Sequence, residues 1–305
     1  MTIPAEGIVG EVTAIAETAD HSRLFWGNAV GTVKSMSYAN GRVDVVKRGH
    51  SEHDRVLDIR QQQGDEVSWI TRQGVLYTCS KGEAKARNVV SLQDRTMRHA
   101  ALGTNVLVYD HWINARWGST RTAVICVDLL SQQTTASPAV FPSQRGFNEL
   151  VQHLELSPDQ KTIAIVASGD FALMRPDSLA NIRRFAQGWG VASAFSPSSE
   201  LVALGTDGKG VFVWRVQDGR KLATFTLDKA ATLHALAFSG EDTIYAASGP
   251  TSELYQLSVS TGEVRAIGQF PGTVKLFFSQ AKRTLFVGKQ DGSIMPVPVQ
   301  RIVGR

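Results

Sequence analysis

Short apolar segments alternate with turn signals along the chain, and residues 190–227 show this pattern most clearly. Four runs of strand length follow one another there, separated by Ser196-Pro197, Asp207-Gly208 and Asp218-Gly219. Runs of roughly four to eight residues rich in Val, Phe and Leu, with such dipeptides between them, are typical of antiparallel strands joined by tight turns. The segment therefore predicts a four-stranded antiparallel sheet.

The same unit recurs along the chain. Successive units begin near residues 12, 56, 98, 151, 191, 233 and 274. A period of about 40–45 residues with four strands in each repeat is typical of β-propeller blades. Helical repeats are excluded because no window keeps an apolar stripe at helical spacing. We predict an all-β protein, a single seven-bladed β-propeller of four-stranded antiparallel blades that occupies residues 1–305 as one domain.

Several turns of these units resemble those of WD repeats. Gly49-His50 is similar to the Gly-His pair of that family, and Thr206-Asp207-Gly208 is similar to its turn between the second and third strands. Val211–Arg215 resembles the strand that ends in Trp-Asp, with Arg215 in place of the aspartate. The resemblance implies a degenerate WD-repeat propeller. It also implies a His, Ser/Thr, Asp and Trp network in each blade, of which only Asp207 and Trp214 are recognisable.

The sequence leaves two ways of completing the seventh blade. Its fourth strand is expected either from Arg301–Gly304 or from Thr2–Gly7, which would clasp the two ends together as in the resembled family. Pro296 and Pro298 cannot donate ladder hydrogen bonds, which weakens the third strand as a pairing partner. We favour the N-terminal clasp, and the alternative stays open.

Composition describes a globular protein, with 43% hydrophobic and 20% charged residues. No run approaches the roughly 18 apolar residues of a membrane span, and the N-terminal residues show no secretory signal. Cys79 and Cys126 lie in apolar runs, so we expect buried, reduced thiols and a cytoplasmic protein. The net charge of +4 is compatible with solubility alone or with a basic face for an acidic protein, nucleic acid or anionic lipid.

The chain offers no catalytic constellation. Its seven histidines are dispersed, and the one local cluster, His50–Asp54, lies on a predicted loop and is interpreted as a solvated connection. Gly205–Gly210 joins two strands rather than a strand and a helix, so it is not a phosphate-binding loop. There is no nucleophile elbow and no Cys/His zinc spacing. We therefore predict that the protein is not an enzyme and has no cofactor or metal.

The third unit breaks the pattern on the side of the propeller where blade connections and the turns between second and third strands emerge. Its loop, 111–121, is about twice as long as the other turns, and the next connection, 141–148, is also extended. Aromatic and arginine side chains dominate the energetics of protein interfaces. The predicted partner-binding residues are Trp112, Arg116, Trp117, Arg121, Arg145 and Phe147, joined on the same face by Arg48, Arg72 and Lys209. The alternative is that both tryptophans cap the unit and the arginines are solvated.

These features predict a non-catalytic scaffold or adaptor that presents its loops to a protein partner with an acidic or mixed surface, as a subunit of a larger complex. Two alternatives remain. A basic, aromatic face can also bind RNA or single-stranded DNA by stacking bases. A propeller can also bind or hydrolyse a small molecule at its central channel.

Overall fold

The computed structural model describes residues 10–62, 64–80, 86–92, 97–114, 120–136, 151–167, 170–185, 189–208, 210–227, 232–249 and 251–299. Of these, residues 112–114, 120, 121 and 181 are described by their backbone alone. One short 3-10 turn, Glu52–Asp54, accompanies the strands, and no helix in this part of the chain is long and apolar enough to cross a membrane.

The strands form seven antiparallel sheets in which the spatial order follows the chain. Blade 1 contains β1 (Val12–Glu17), β2 (Arg23–Asn28), β3 (Val33–Ser37) and β4 (Val43–Lys47); blade 2 contains β5 (Val56–Gln61), β6 (Glu66–Thr71), β7 (Val75–Ser80) and β8 (Arg87–Ser91); blade 3 contains β9 (Ala100–Leu102), β10 (Val106–Asn114), β11 (Thr120–Asp128) and β12 (Thr134–Ala136).

The remaining blades follow the same plan. Blade 4 contains β13 (Val151–Leu156), β14 (Ile163–Ala167), β15 (Asp170–Met174) and β16 (Asn181–Phe185); blade 5 contains β17 (Gly190–Phe195), β18 (Leu201–Thr206), β19 (Gly210–Arg215) and β20 (Lys221–Phe225); blade 6 contains β21 (Leu233–Phe238), β22 (Thr243–Ser248), β23 (Glu253–Ser258) and β24 (Val264–Gln269); blade 7 contains β25 (Thr273–Ser279), β26 (Thr284–Lys289) and β27 (Ile294–Pro298).

The predicted fold class, an all-β seven-bladed propeller, is confirmed. Blade 7 packs against blade 1, where Val12 and Trp26 share a buried cluster with Phe286, and Ser279 Oγ donates to Glu17 Oε1 at 2.7 Å. Within the described residues blade 7 has three strands. Both segments predicted to supply the fourth, Thr2–Gly7 and Arg301–Gly304, lie outside those residues.

The hydrophobic core lies between neighbouring blades. Because each sheet is apolar on both faces, it is covered by the next sheet on either side. Trp214 of blade 5, for example, contacts Phe185 and Phe171 of blade 4 with ring centroids 4.8 and 5.6 Å apart. Trp26, Trp69 and Trp214 are all buried, as expected from their places in apolar runs. Both cysteines are buried and free, which agrees with the expectation of reduced thiols.

Blade 3 departs from the plan. Its first and last strands, β9 and β12, have 3 residues each, whereas β10 and β11 have 9 each. The prediction of a loop over 111–121 is wrong at both ends, since His111–Asn114 pairs with residues 120–123 in continuous register. Tryptophan, isoleucine and threonine at these positions favour extended backbone, so the hairpin continues instead of turning early. The tip, 115–119, lies outside the described residues.

Candidate functional site

The blade connections and the turns between second and third strands lie together on one side of the ring, here called the connection face. Backbone hydrogen bonds show this directly, because the turn is bonded to the connection that leads into the same blade. Arg72 N donates to Arg55 O at 2.8 Å in blade 2, and Asp207 N donates to Trp189 O at 2.9 Å in blade 5. Equivalent bonds occur in blades 1, 3, 6 and 7.

Four of the predicted partner-binding residues are described, and all four lie on or lead to the connection face. Arg48 is exposed in the connection between blades 1 and 2, and Arg72 is half-buried in the turn between β6 and β7. Trp112 and Arg121 belong to the β10–β11 hairpin, where they pair with Thr122 and Ile113, at adjacent register positions. The other predicted residues, Arg116, Trp117, Lys209, Arg145 and Phe147, lie outside the described part of the chain.

Trp189 is a residue of the connection face that is not among the predicted partner-binding residues. It leaves 63% of its surface exposed, the largest exposed aromatic side chain among the described residues, and it does not line the central cavity. Exposed tryptophan leaves a large apolar area in water and is enriched at interface centres. The sequence indicates this exposure only through the place of Trp189 between Gly188 and Gly190, outside any strand pattern.

Gly49 explains one of the WD-like features in physical terms. A Cβ atom at this position would lie 1.9 Å from the carbonyl oxygen of Val30, so only glycine lets the connection approach the neighbouring turn. The Gly49 N–H donates to Thr32 Oγ1 at 3.2 Å. His50 next to it is exposed, with its backbone N–H on Asp54. The described residues contain no group of three metal-ligating side chains.

Blade 3 contains a histidine–aspartate pair that the sequence interpretation missed. Asp110 is fully buried; its Oδ1 accepts the N–H groups of Arg98 and His99 at 2.8 and 2.7 Å, and its Oδ2 lies 3.2 Å from His99 Nδ1. In blade 5, Asp207 instead accepts from Thr232 Oγ1, in the connection that leads into blade 6, at 2.6 Å. His99 follows Arg98 rather than glycine, and the Gly-His signature therefore did not reveal it.

The first strands of the blades surround a central cavity of about 1050 Å³. In six blades the register shifts after the first residue of this strand, which gives a common reference for counting. The next residue that pairs with the second strand is alanine in blades 1, 5 and 6. In blades 2, 4 and 7 it is ionisable, and His99 has the same place in blade 3 when counted back from the turn after β9. The seven positions are Ala14, Asp58, His99, His153, Ala192, Ala235 and Lys275.

A second ring of positions lies two residues further along each strand, and it shows the same difference between ionisable residues and alanine. Arg60 and Glu155 occupy it in blades 2 and 4, where blades 1, 5 and 6 have alanine. Arg60 reaches across blade 3 and donates to the carbonyl oxygens of Ser157 and Pro158 at 3.3 and 3.4 Å. His153 Nε2 lies 3.0 Å from Glu155 Oε2. At these two positions the ionisable groups are therefore concentrated in blades 2 to 4, whereas blades 1, 5 and 6 have alanine there.

The half-buried position of these groups in the channel changes their pKa values. Burial raises the pKa of Asp58 to about 6, opposed by the hydrogen bond from Leu102 N–H and by the charge of Lys275. Burial also acts against ionised Glu155, but the hydrogen bond from His153 and the charges of Lys275 and Arg60 prevail and lower its pKa. Burial lowers the pKa of His153 below its ordinary value. The channel thus holds an ionised Glu155 beside a neutral imidazole at neutral pH.

These features define the class of protein: a seven-bladed β-propeller with a polar central cavity and one modified blade. No family model matches the chain, and no curated protein matches it. The beta-propeller domain of Cps50 (Swd1) from Myceliophteria thermophila has a TM-score of 0.76 at 12% identity, with 98% of this chain and 99% of that chain covered.

Two further solved structures have the same fold. A chain of the Mitotic Checkpoint Complex has a TM-score of 0.73 at 16% identity, over 98% of this chain and 91% of that one. The computationally designed Ika8 protein has a TM-score of 0.64 at 17% identity, over 97% and 98% of the two chains. These similarities confirm the resemblance to WD-repeat propellers as a likeness of fold. At such low sequence identities they show the fold alone.

Proposed function

We propose that this protein is a non-catalytic interaction scaffold or adaptor, a subunit of a larger assembly, which presents its connection face to a protein partner with an acidic or mixed surface. The observation that carries the proposal is the β10–β11 hairpin. Its strands are 9 residues long, whereas the second and third strands of the other blades have 5 or 6. The extra length extends the hairpin beyond its neighbours on the connection face.

The composition of this face supports the proposal. Trp112 and Arg121 lie on the extension itself, and Arg116 and Trp117 belong to its tip by sequence. Trp189 is exposed on the same face, in the connection that leads into blade 5. Tryptophan and arginine are the side chains that most often dominate binding energy. In the proposal, Arg48, Arg72, Lys209, Arg145 and Phe147 form the surrounding basic and aromatic rim.

The similar structures support the same class of function. One of them is a chain of the Mitotic Checkpoint Complex, a propeller determined within a multiprotein assembly. Buried free thiols at Cys79 and Cys126 support a reducing, cytoplasmic setting for this chain, because exposed disulfides and cysteine frameworks are features of secreted proteins. Both inferences belong to the proposal.

The test is a quantitative pull-down with a Trp112→Ala, Arg116→Ala, Trp117→Ala triple variant. We expect this variant to keep the thermal stability of the wild type and to lose its partner at least about tenfold, as truncation of interface anchors does. The matched control removes the exposed charges Arg42, Lys161 and Arg220 from turns on the opposite face and should retain the partner.

Three outcomes contradict the proposal or redirect it. A folded triple variant that retains every wild-type partner shows that the hairpin is not the site. A triple variant with a markedly lower Tm shows that the tryptophans cap blade 3, the alternative interpretation. A steep loss of binding with salt, removed by nuclease, shows a nucleic-acid partner instead of a protein.

A further inference from the structure

The central cavity contains charged groups that the scaffold function does not require. At the first ring of positions, blades 1, 5 and 6 have alanine, and alanine is sufficient there to pack against the next blade. The same position carries Asp58 in blade 2, His153 in blade 4 and Lys275 in blade 7. Since burial disfavours charge unless a partner compensates it, each of these replacements needs a reason.

Some of the charges have a structural reason. Asp58 Oδ2 accepts the Leu102 N–H at 2.8 Å and so holds the short strand β9. Arg60 is bonded to backbone carbonyls at the start of the next turn, on blade 4. These contacts explain why the ring tolerates an aspartate and an arginine beside blade 3.

Lys275 makes no comparable contact with the backbone of another blade. It lies across the channel from blades 2 to 4 and forms no hydrogen bond or ion pair with any residue that the structure describes. Its charge nevertheless lowers the pKa values of Asp58 and Glu155, because the three groups face the same cavity. Opposite charges that influence each other without touching leave a gap in which a guest can contact both.

A buried hydroxyl group in blade 5 also indicates that the cavity binds a ligand. Ser193 of β17 belongs to the lining of the cavity, is only 3% exposed, and its Oγ has no hydrogen-bond partner among the described residues. Buried polar atoms are almost always bonded to protein, water or ligand. The equivalent position in other blades is apolar, as at Ile59 and Leu236, so packing does not call for a hydroxyl here.

We propose that the central cavity binds a small zwitterionic ligand, with an ammonium group and a carboxylate, as in a free amino acid or a short peptide. Lys275 would bind the carboxylate, and Glu155 with Asp58 would bind the ammonium group on the opposite wall. The volume of about 1050 Å³ is ample for either source. The wall beside blades 5 and 6, which includes Ala192, Phe195 and Leu236, would receive the rest of the ligand.

This site is independent of the connection-face hairpin, and its variants leave the hairpin unchanged. Lys275→Ala is the central variant, because alanine is the native residue at this position in blades 1, 5 and 6 and is expected to fold. Lys275→Met keeps the length of the side chain and removes only the charge. Lys161→Ala, in an exposed turn of blade 4, is the matched control.

The experiment is isothermal titration calorimetry with two panels of probes at about 1 mM and above, the common free amino acids and a set of dipeptides. We expect at least one probe to bind wild type and Lys161→Ala alike and to bind Lys275→Ala and Lys275→Met about tenfold more weakly or worse. N-acetylated and C-amidated forms of that probe should each lose affinity. The panel that binds identifies the source.

Three results overturn the proposal. The first is that no amino acid or dipeptide binds the wild-type protein. The second is that both Lys275 variants bind the probe as well as wild type, which would place it elsewhere. The third is that charge-blocked probes bind as tightly as the free zwitterion.

Discussion

Blade 5 and blade 3 follow the same order of strands but use their length differently. Blade 5 has strands of 6, 6, 6 and 5 residues, joined by short turns. Blade 3 has 3, 9, 9 and 3. A regular blade such as blade 5 uses strands of nearly equal length to pack against its neighbours, whereas blade 3 has most of its strand residues in one long hairpin.

Blade 3 shares apolar clusters with blades 2 and 4, and polar contacts support it in addition. In blade 5, small residues such as Ala192 and Ala194 bring the first strand close to blade 6. In blade 3, the short β9 is held by Asp58 through the Leu102 N–H, and Thr104 exchanges two hydrogen bonds with Gln160 of blade 4 at 2.7 and 2.8 Å. The contact of Asp58 depends on pH because its carboxyl group titrates, and this makes the contrast between the blades measurable.

The largest expected effect is in blade 5. Trp214→Ala removes a side chain that is 2% exposed and contacts three phenylalanine rings, so the free energy of unfolding should fall by about 3–5 kcal/mol. Trp189→Ala is the matched control and should change it by less than about 0.5 kcal/mol. Chemical denaturation followed by far-UV circular dichroism measures both. Equal losses would contradict the assignment of one tryptophan to the core and the other to the surface.

The next comparison concerns the two aspartates that bind the blade connections. Asp110→Ala leaves the N–H groups of Arg98 and His99 without their buried acceptor and should cost about 2–5 kcal/mol. Asp207→Ala removes one exposed hydrogen bond to Thr232 and should cost about 1 kcal/mol or less. Denaturation curves give the totals, and hydrogen exchange at residues 98 and 99 gives the local effect. A smaller loss for Asp110→Ala would show that water replaces its carboxylate.

The smallest expected effect is a pH dependence that originates beside blade 3. The pKa of Asp58 is raised from 3.8 to about 6 in the folded protein. The folded state therefore binds this proton more tightly, and its stability rises as the pH falls from about 6 to about 4; the gain is lost again as the pH rises through 6. Relative to Asp58→Asn, wild type should gain roughly 1–3 kcal/mol between pH 7 and pH 4. A parallel pH profile for the two proteins would show that Asp58 is not protonated in the folded state.

Much of the fold could be predicted because the same pattern of strands and turns recurs in seven units along the chain. The strand pattern of residues 190–227 was sufficient to recognise weaker copies, and the burial of Trp26, Trp69 and Trp214 followed from their places in apolar runs. Within the β10–β11 hairpin, the sequence predicts a loop over residues 111–121 because polar residues such as His111 and Asn114 interrupt the apolar pattern. Strand pairing there depends on the partner strand, which a local pattern does not show.

The channel residues were missed for a different reason, since their signal lies in the comparison between repeats. Asp58, His153 and Lys275 are unremarkable in their own segments. Aligned with Ala14, Ala192 and Ala235, they are ionisable residues at a position where other blades have alanine. The contacts that compensate these charges, such as that of Arg60 with Pro158, join residues on different blades and could not be predicted from spacing. Arg116, Trp117, Arg145, Phe147 and Lys209 stay predictions.

The reach of Arg60 from blade 2 to the first turn of blade 4 has a consequence for how the ring tolerates change. Together with the Thr104–Gln160 contact, it links blade 4 directly to both blades that precede it. Blades 2 and 4 are therefore joined by hydrogen bonds that do not involve blade 3. An element bypassed in this way can vary in length or sequence while the neighbouring blades keep their spacing. Blade 3 is therefore the part of this scaffold that is best suited to acquiring insertions, whether by natural divergence or by design.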